Sequence, residues 1–329
     1  MRVMVTGGAG YIGSHAVKML CDAGHQVTAV DNLARGHRRA VDPRAEFHEL
    51  PLAATDALAD LLRAGAIECV MHFAALAYVG ESVEQPLRYY ENNTAGTLSL
   101  LGAMQSAGVN RLVFSSTCAT YGQPETMPIV ETTPQRPVNP YGWSKWFIER
   151  ILLDAVVADR RFAFVSLRYF NVAGAAADGS LGEDHDPETH LIPLLLLAAL
   201  GRRRSVTVFG NDYPTPDGTC IRDYIHVEDL CAAHIAAMEA LREGDARFYN
   251  LGIGRGYSVR EVIDAARRVT GVHIPVEDGP RRAGDPAVLY ADPTRIRREL
   301  GWAARYLEID AIISTAWRWF ENHPDGYGD

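Results

Sequence analysis

Two residues able to move a proton stand four apart in the stretch Tyr141-Gly142-Trp143-Ser144-Lys145. Positions i and i+4 share one face of a helix, so a phenol and an ammonium become neighbours there. Pro140, just before the tyrosine, suits the first position of such a helix. A free phenol titrates near ~10 and is a poor base at neutral pH. A nearby positive charge favours the phenolate and lowers that value. A phenol so placed can take a proton from a hydroxyl and give it back. Y-x-x-x-K alone also fits an ordinary amphipathic helix with a surface lysine. A third group sharpens the reading. Phe114-Ser115-Ser116-Thr117 closes the fourth expected strand, 24 residues before Tyr141. A hydroxyl at the carboxyl end of a strand sits where open α/β sheets bind their ligands. Thr117 can therefore bond the same substrate oxygen that Tyr141 deprotonates.

These three residues need a scaffold, and the first half of the chain supplies one. Strands are expected at Arg2 to Val5, Gln26 to Val30, Cys69 to Phe73, Arg111 to Ser115 and Phe164 to Arg168. Helical patterns lie between them, at Gly13 to Ala23, Pro86 to Ser106 and Pro140 to Val157. Alternation of this kind predicts right-handed βαβ crossovers and a Rossmann-type, doubly wound parallel sheet. The second half is less regular and rich in Gly, Pro and Asp between Val172 and Asp223. It offers helices at Leu191 to Leu200 and Val259 to Thr270, a strand-plus-helix at Ile225 to Leu241, and a last helix packed by Trp302, Trp317 and Trp319. The expected organisation is a dinucleotide-binding domain over 1–171, with return segments from about 221–253. A smaller, interleaved α/β substrate lobe is expected over 172–329.

Gly7-Gly8-Ala9-Gly10-Tyr11-Ile12-Gly13 lies between the first strand and the first helix. Glycines there permit a tight turn, a close approach of backbone to pyrophosphate, and helix–strand packing. The helix start then offers free N–H groups to phosphate. Asp31, 18 residues past Gly13, ends the second strand. A carboxylate there accepts from ribose hydroxyls and repels an extra 2′-phosphate, which favours NAD over NADP. The plainer alternative is an aspartate capping a turn with Asn32.

Composition narrows the classes. The formal charge of −9, from 41 acidic against 32 basic residues, argues against a nucleic-acid partner, which demands clustered positive charge. The most apolar run, Leu191 to Leu200, contains Pro193 and is too short to span a bilayer, so no membrane partner is expected. The cysteines, Cys21, Cys69, Cys118, Cys220 and Cys231, are odd in number and form no C-x-x-C pair. Neither a disulfide framework nor a zinc site is expected from them, and a cytoplasmic, reducing location fits. No signal peptide is expected ahead of the first strand.

Longer motifs run along the whole chain. They include Val5-Thr6-Gly7 through Ser14-His15, His72-Phe73-Ala74-Ala75, Tyr89-Tyr90-Glu91-Asn92-Asn93 and Leu167-Arg168-Tyr169-Phe170-Asn171. Phe209-Gly210-Asn211-Asp212-Tyr213, Arg222-Asp223-Tyr224-Ile225-His226-Val227 and Pro280-Arg281-Arg282-Ala283-Gly284-Asp285 follow. By these and by its G-x-x-G-x-x-G spacing, the chain resembles the UDP-glucose 4-epimerases. That family lies within the extended branch of the short-chain dehydrogenase/reductases. Ser115 to Gly122 and Pro187-Glu188-Thr189-His190 look like the variant of exopolysaccharide-making bacteria.

The resemblance implies Tyr141 as acid/base, Lys145 as its electrostatic partner and Thr117 as the hydroxyl orienting substrate. Gly7, Gly10, Tyr11, Ile12, Gly13, Asp31, Asn32, Phe73, Ala74, Ala75 and Asn92 would hold NAD, with Phe170 on the nicotinamide. Asn171, His190, Leu191, Phe209, Arg222, Arg282 and Asp285 would hold a UDP-sugar. Leu289 falls near a position whose bulk limits the sugar's C2 substituent. A homodimer through the Pro86 to Ser106 and Tyr141 to Val157 helices is also implied. The residues leave other readings open: Arg222 and Arg282 fit ion pairs with Asp223 or Asp285, Asn171 fits a turn, and Asn92 fits a helix-backbone contact. Other functions compatible with the fold are 4-epimerisation of UDP-N-acetylglucosamine or UDP-xylose, nucleotide-sugar dehydration, and NAD sensing without chemistry. Where the resemblance departs from its family, Pro51 replaces an Asp near the adenine and Ala77 replaces a common Lys.

Overall fold

A computed structural model describes residues 1–282 and 284–328; Ala283 of the Pro280–Asp285 motif lies outside the described residues. The first half builds β1 (Arg2–Thr6), α1 (Tyr11–Asp22), β2 (Gln26–Asp31), β3 (Glu46–Glu49), α2 (Thr55–Ala64) and β4 (Cys69–His72). It continues with α3 (Val79–Glu84), α4 (Pro86–Tyr89), α5 (Gly96–Ala107), β5 (Arg111–Ser115), α6 (Pro140–Ala158), β6 (Ala163–Tyr169) and β7 (Asn171–Ala173). The second half adds α7 (Leu191–Ala199), β8 (Val206–Phe209), β9 (Ile221–Arg222), β10 (Tyr224–His226), α8 (Val227–Ala240) and β11 (Ala246–Leu251). It ends with β12 (Tyr257–Ser258), α9 (Val259–Thr270), β13 (Val276–Gly279), β14 (Val288–Leu289), α10 (Thr294–Leu300) and α11 (Ile309–Asn322).

Seven strands form one parallel sheet in the order β11-β6-β5-β4-β1-β2-β3. The order reverses between β1 and β4, which is the crevice where doubly wound sheets bind ligands. Val3, Met4, Val5, Val70, Met71, Leu112, Val113 and Phe114 are wholly buried. The continuous apolar run of such strands follows from helices covering both faces. One apolar core lies between the sheet and α1 and α8, and another lies beneath α2, α5 and α6. A third, centred on α7, α9 and α11, is the core of the C-terminal lobe.

Most expected elements lie where the pattern put them, within a residue or two. β3, α2 and β11 went unanticipated, so the strand ending at Ser115 is the fifth in the chain rather than the fourth. β3 is short and half-exposed at a sheet edge, where the apolar signal is weakest. The helix expected over Pro86 to Ser106 is interrupted by a π-helical turn at Tyr90–Ala95. Local π turns often mark functional positions, and this one carries Asn92 and Asn93. No helix among the described residues is long and apolar enough to cross a membrane.

Candidate active site

Register sets the site. Thr6 pairs with Val30 on one side and His72 on the other, so Gly7, Asp31 and Phe73 emerge level at the switch point. The amides of Phe73 and Ala74 donate to the Thr6 carbonyl at 2.9 and 3.1 Å, closing β4 against the glycine loop. A side chain on Gly13 would collide with the Gly7 carbonyl oxygen, so only glycine lets α1 start this close to the turn. No side chain caps α1 at Gly10. The N–H groups of its first turn are thus left for an anion, at the positive end of the helix dipole. Asp31 accepts from Ala9 N at 3.1 Å and Leu33 N at 2.9 Å. Burial raises its carboxyl above the usual carboxylate value. Asn32 is exposed and accepts from Ala34 N at 3.1 Å, as a turn residue does. Uncapped helix start, close turn and acid at the end of β2 together fit a dinucleotide.

Tyr11 donates its hydroxyl to the Gly174 carbonyl at 2.6 Å. Ile12 and Phe73 are half-buried against the core shared by α1 and α8, and the Phe73 ring lies 4.7 Å from His234. Ala75 is half-buried. Asn92, also half-buried, donates to Asn93 Oδ1 at 2.9 Å. The fully buried neighbour, Asn93, has the larger structural task. Its amide bonds both the N–H and the C=O of Leu76, at 2.8 and 3.0 Å, and reaches Ser144 Oγ at 3.0 Å. It thereby ties the loop after β4 to α6, and the π turn aims it there. Spacing alone did not single it out.

Helix α6 starts at Asn139, whose side chain accepts from Gly142 N at 2.8 Å, with Pro140 at its first position. A Cβ on Gly142 would stand 2.6 Å from the Ala119 carbonyl oxygen, so glycine lets α6 press against the turn that follows β5. That contact brings the Tyr141 phenol beside the Thr117 hydroxyl. Thr117 itself caps the short helix Cys118–Tyr121, accepting from Ala119 N at 3.1 Å. One turn on, Lys145 Nζ donates to the Ser115 carbonyl at 2.8 Å and lies 4.8 Å from the Phe114 ring centre. Phenol, ammonium and threonine thus converge on the end of β5, all buried.

Burial dominates the electrostatics here. It pushes the Tyr141 phenol up, the neighbouring Thr117 hydroxyl opposing it, and lowers Lys145 to about 7 against the pull of Glu149. Without ligands the uncharged pair is therefore favoured, and ionising the phenol calls for further positive charge nearby.

Beneath the helix lies a buried polar network. The Glu149 carboxylate accepts from Arg168 Nε and Nη2, from Ser116 and Ser166 hydroxyls, and from Gln135. Burial raises its pKa, but the facing Arg168 outweighs that and holds the carboxyl below its usual range. Arg168 also donates to Tyr121 Oη at 2.8 Å, which in turn donates to Asn250 Oδ1 at 2.7 Å. Glu149 is four residues past Lys145, on the same helix face, and the sequence did not single it out.

The expected substrate residues gather on the C-terminal lobe in pairs. Arg222 forms an ion pair with Asp285 and donates to the Pro286 carbonyl at 2.6 Å. The Arg282 guanidinium lies 4.1 Å from the ring centre of Phe209. Leu289 stands opposite Arg222 in the β14–β9 pair. Asn171 receives β10 through its N–H to the Asp223 carbonyl at 3.1 Å. Phe170 is buried in a cluster with Tyr121, Ile129 and Ala291, against which Leu289 packs. Leu191 opens α7 on the C-terminal core. His190 is engaged elsewhere, by the carboxylates of Glu183 and Glu188 at 2.9 and 3.0 Å. The expectation of no zinc site rested on cysteine spacing, which says nothing about such a His/Glu group.

The chain is similar to known proteins over its whole length. The model of the NAD dependent epimerase/dehydratase family matches residues 3–252. A UDP-glucose 4-epimerase of Lacticaseibacillus casei is 52% identical, over 100% of this chain and 99% of its own. UDP-arabinose 4-epimerase 1 of Arabidopsis thaliana is 45% identical, over 99% of this chain and 81% of its own. Among solved structures, the UDP-glucose 4-epimerase of Bifidobacterium longum in complex with NAD+ and UDP superposes with a TM-score of 0.95. It is 41% identical and covers 99% of this chain and 100% of its own.

Proposed function

The chain belongs to the NAD dependent epimerase/dehydratase family, and from that premise we propose that it interconverts UDP-glucose and UDP-galactose by 4-epimerisation. The observation that carries the reading is the Tyr141–Thr117 hydroxyl pair at the end of β5, beside the switch-point crevice. NAD is the cofactor; when bound it accepts and returns the C4 hydrogen with its electron pair, and its oxidised ring adds the positive charge that phenol ionisation calls for. Gly7, Gly10, Tyr11, Ile12 and Gly13 would hold its pyrophosphate, Asp31 and Asn32 its adenosine ribose. Phe73, Ala74, Ala75, Asn92, Lys145 and Phe170 would line the rest.

The protein's own part is proton transfer and positioning. Tyr141 takes the 4-hydroxyl proton while Thr117 orients that oxygen. The 4-keto sugar turns over within the pocket, held through its diphosphate by Arg222 and Arg282, whose forked guanidinium groups match phosphate oxygens. Asn171, Leu191, Phe209 and Asp285 complete the UDP-sugar site, with His190 held by Glu183 and Glu188 directly before Leu191. With the opposite face of C4 now turned to the returning hydride, Tyr141 gives its proton back to the 4-oxygen. Asp285 already pairs with Arg222, so diphosphate entry re-partners a preformed charge pair.

A dehydratase would need an acid beside Thr117 to eliminate water, and Cys118-Ala119 supply none. A sensing protein has no use for a buried Tyr–Lys pair. Another UDP-sugar remains the second reading, supported by the plant relative named for UDP-arabinose. Purified protein should convert UDP-glucose to UDP-galactose with no added reductant. A panel that includes UDP-arabinose, UDP-xylose and UDP-N-acetylglucosamine would identify the preferred sugar. Turnover of none of them would overturn the reading.

A homodimer is part of the proposal. Val83, Leu87 and Leu98 are exposed on α3, α4 and α5, beside Trp143 and Phe147 on α6, and Tyr90 and Phe147 rings lie 6.1 Å apart. A contiguous apolar face of this kind is what a second copy buries. Five unpaired cysteines support the cytoplasm as its location. The Ser115–Gly122 and Pro187–His190 motifs support a part in supplying exopolysaccharide synthesis.

A further inference from the structure

Four ligand-bearing side chains meet away from the proton-transfer site, all from the loop ahead of α7. Glu183, His185, Glu188 and His190 follow an E-x-H-x-x-E-x-H spacing, and one donor atom from each lies within 4.8 Å of every other. The His185 Nδ1 stands 3.2 Å from Glu183 Oε1 and 3.6 Å from Glu188 Oε2. The His190 Nδ1 stands 2.9 Å from Glu183 Oε1 and 3.0 Å from Glu188 Oε1. A tetrahedral zinc centre with bonds of ~2.0–2.2 Å has ligand-to-ligand edges of roughly 3.3–3.6 Å. The four His–Glu separations lie near those edges, and a donor pair as far apart as 4.8 Å would have to draw in on binding.

A second observation separates this from ordinary ion pairing. The His185 Nδ1 is buried and makes no hydrogen bond, although two carboxylates flank it. A cation shared with those carboxylates would give this buried nitrogen a partner. Glu183 is buried, and the Glu188 side chain nearly so. The loop is braced from outside: Arg35 donates to the Asp186 carbonyl at 2.5 Å, and Tyr327 N donates to Asp184 Oδ2 at 2.9 Å. Two carboxylates and two neutral imidazoles balance the charge of a divalent ion, which would displace the protons that the carboxylates otherwise hold on His185 and His190.

We propose that Glu183, His185, Glu188 and His190 bind one divalent transition-metal ion of the Zn2+ type in a closed, four-ligand site. Two imidazole nitrogens select against Mg2+ and Ca2+, which prefer all-oxygen shells. With all four positions filled by protein, the ion has a structural role. The His185 ring lies 6.2 Å from that of Tyr11, at the start of α1, and His190 directly precedes Leu191, the first residue of α7. The ion would thus tie the start of the dinucleotide helix to the start of the helix expected to face the UDP-sugar.

The test is direct metal binding by the full chain with its bound NAD. Protein freed of metal by a chelator, and then of the chelator, is titrated calorimetrically with Zn2+ alone. The expected result is about one ion per chain, undisturbed by excess Mg2+. Glu183→Gln and His185→Asn should each weaken binding by at least ~10-fold, the low end of what losing even a supporting contact costs. Co2+ added to the unmutated protein should give the intense visible bands of tetrahedral coordination, a readout that survives if either variant folds poorly. No saturable Zn2+ binding, equal binding by the two variants, or a pale octahedral Co2+ spectrum would each leave an ion-pair cluster only and overturn the proposal.

Discussion

Arg168 grips the Glu149 carboxylate through two parallel hydrogen bonds, Nε to Oε1 at 2.9 Å and Nη2 to Oε2 at 2.7 Å, one helical turn beyond Lys145. Both side chains are almost wholly buried. The same carboxylate takes the hydroxyl of Ser116, whose neighbour Ser115 accepts from Lys145. The floor of the site is thus held by one carboxylate.

Removing that carboxylate's charge strands a buried guanidinium. Glu149→Gln should destabilise the protein by ~3–5 kcal/mol, the usual cost of breaking one side of a buried pair. Because Arg168 holds the folded carboxyl below its unfolded value, its contribution is fully present above about pH 4.5, the unfolded value, and is lost as pH falls through the folded one. The gap between the two melting temperatures should be widest near neutrality and narrow below pH 4.5. A gap that widens on acidification would refute the assignment.

The hydroxyl pair should separate chemistry from folding. Tyr141→Phe should lower kcat by ~10²–10⁴-fold, the range for losing a positioned acid/base, with little change in melting temperature. Thr117→Ser should retain most activity, and Thr117→Val should not, since only the first keeps a hydroxyl on the phenol. Full activity in Tyr141→Phe would remove the tyrosine from the mechanism.

Gly13→Ala tests the close turn. The added methyl meets the Gly7 carbonyl oxygen, so either the loop or α1 must move. The expected outcome is loss of co-purifying NAD, read from the cofactor absorbance of the denatured supernatant. Unchanged NAD content would mean that the turn is more pliant than its backbone contacts imply.

Leu289 packs beside Phe170 and stands opposite Arg222. Leu289→Tyr should shrink the space at the sugar and cut kcat/KM for UDP-N-acetylglucosamine more than for UDP-glucose, by ~10-fold or more for a displaced group. Equal losses on both substrates would place Leu289 outside the sugar pocket.

Much of this was legible along the chain because it is local. A glycine turn between strand and helix, an acid closing the next strand, and a Tyr–Lys pair one turn apart are each dictated by backbone sterics or helical period within a few residues. The apolar runs of β1, β4 and β5 declared a sheet covered on both faces. Contacts between distant segments had no such signature. That Asn93 clamps Leu76 to Ser144, that Arg168 meets Glu149 beneath Thr117, and that Asp285 reaches Arg222 depended on how strands are ordered and how a π turn rotates one side chain. The balance of charge at Tyr141 and Lys145 also belonged to the folded molecule. Spacing made them neighbours, but desolvation, which exists only once the core closes over them, set which protonation states they hold.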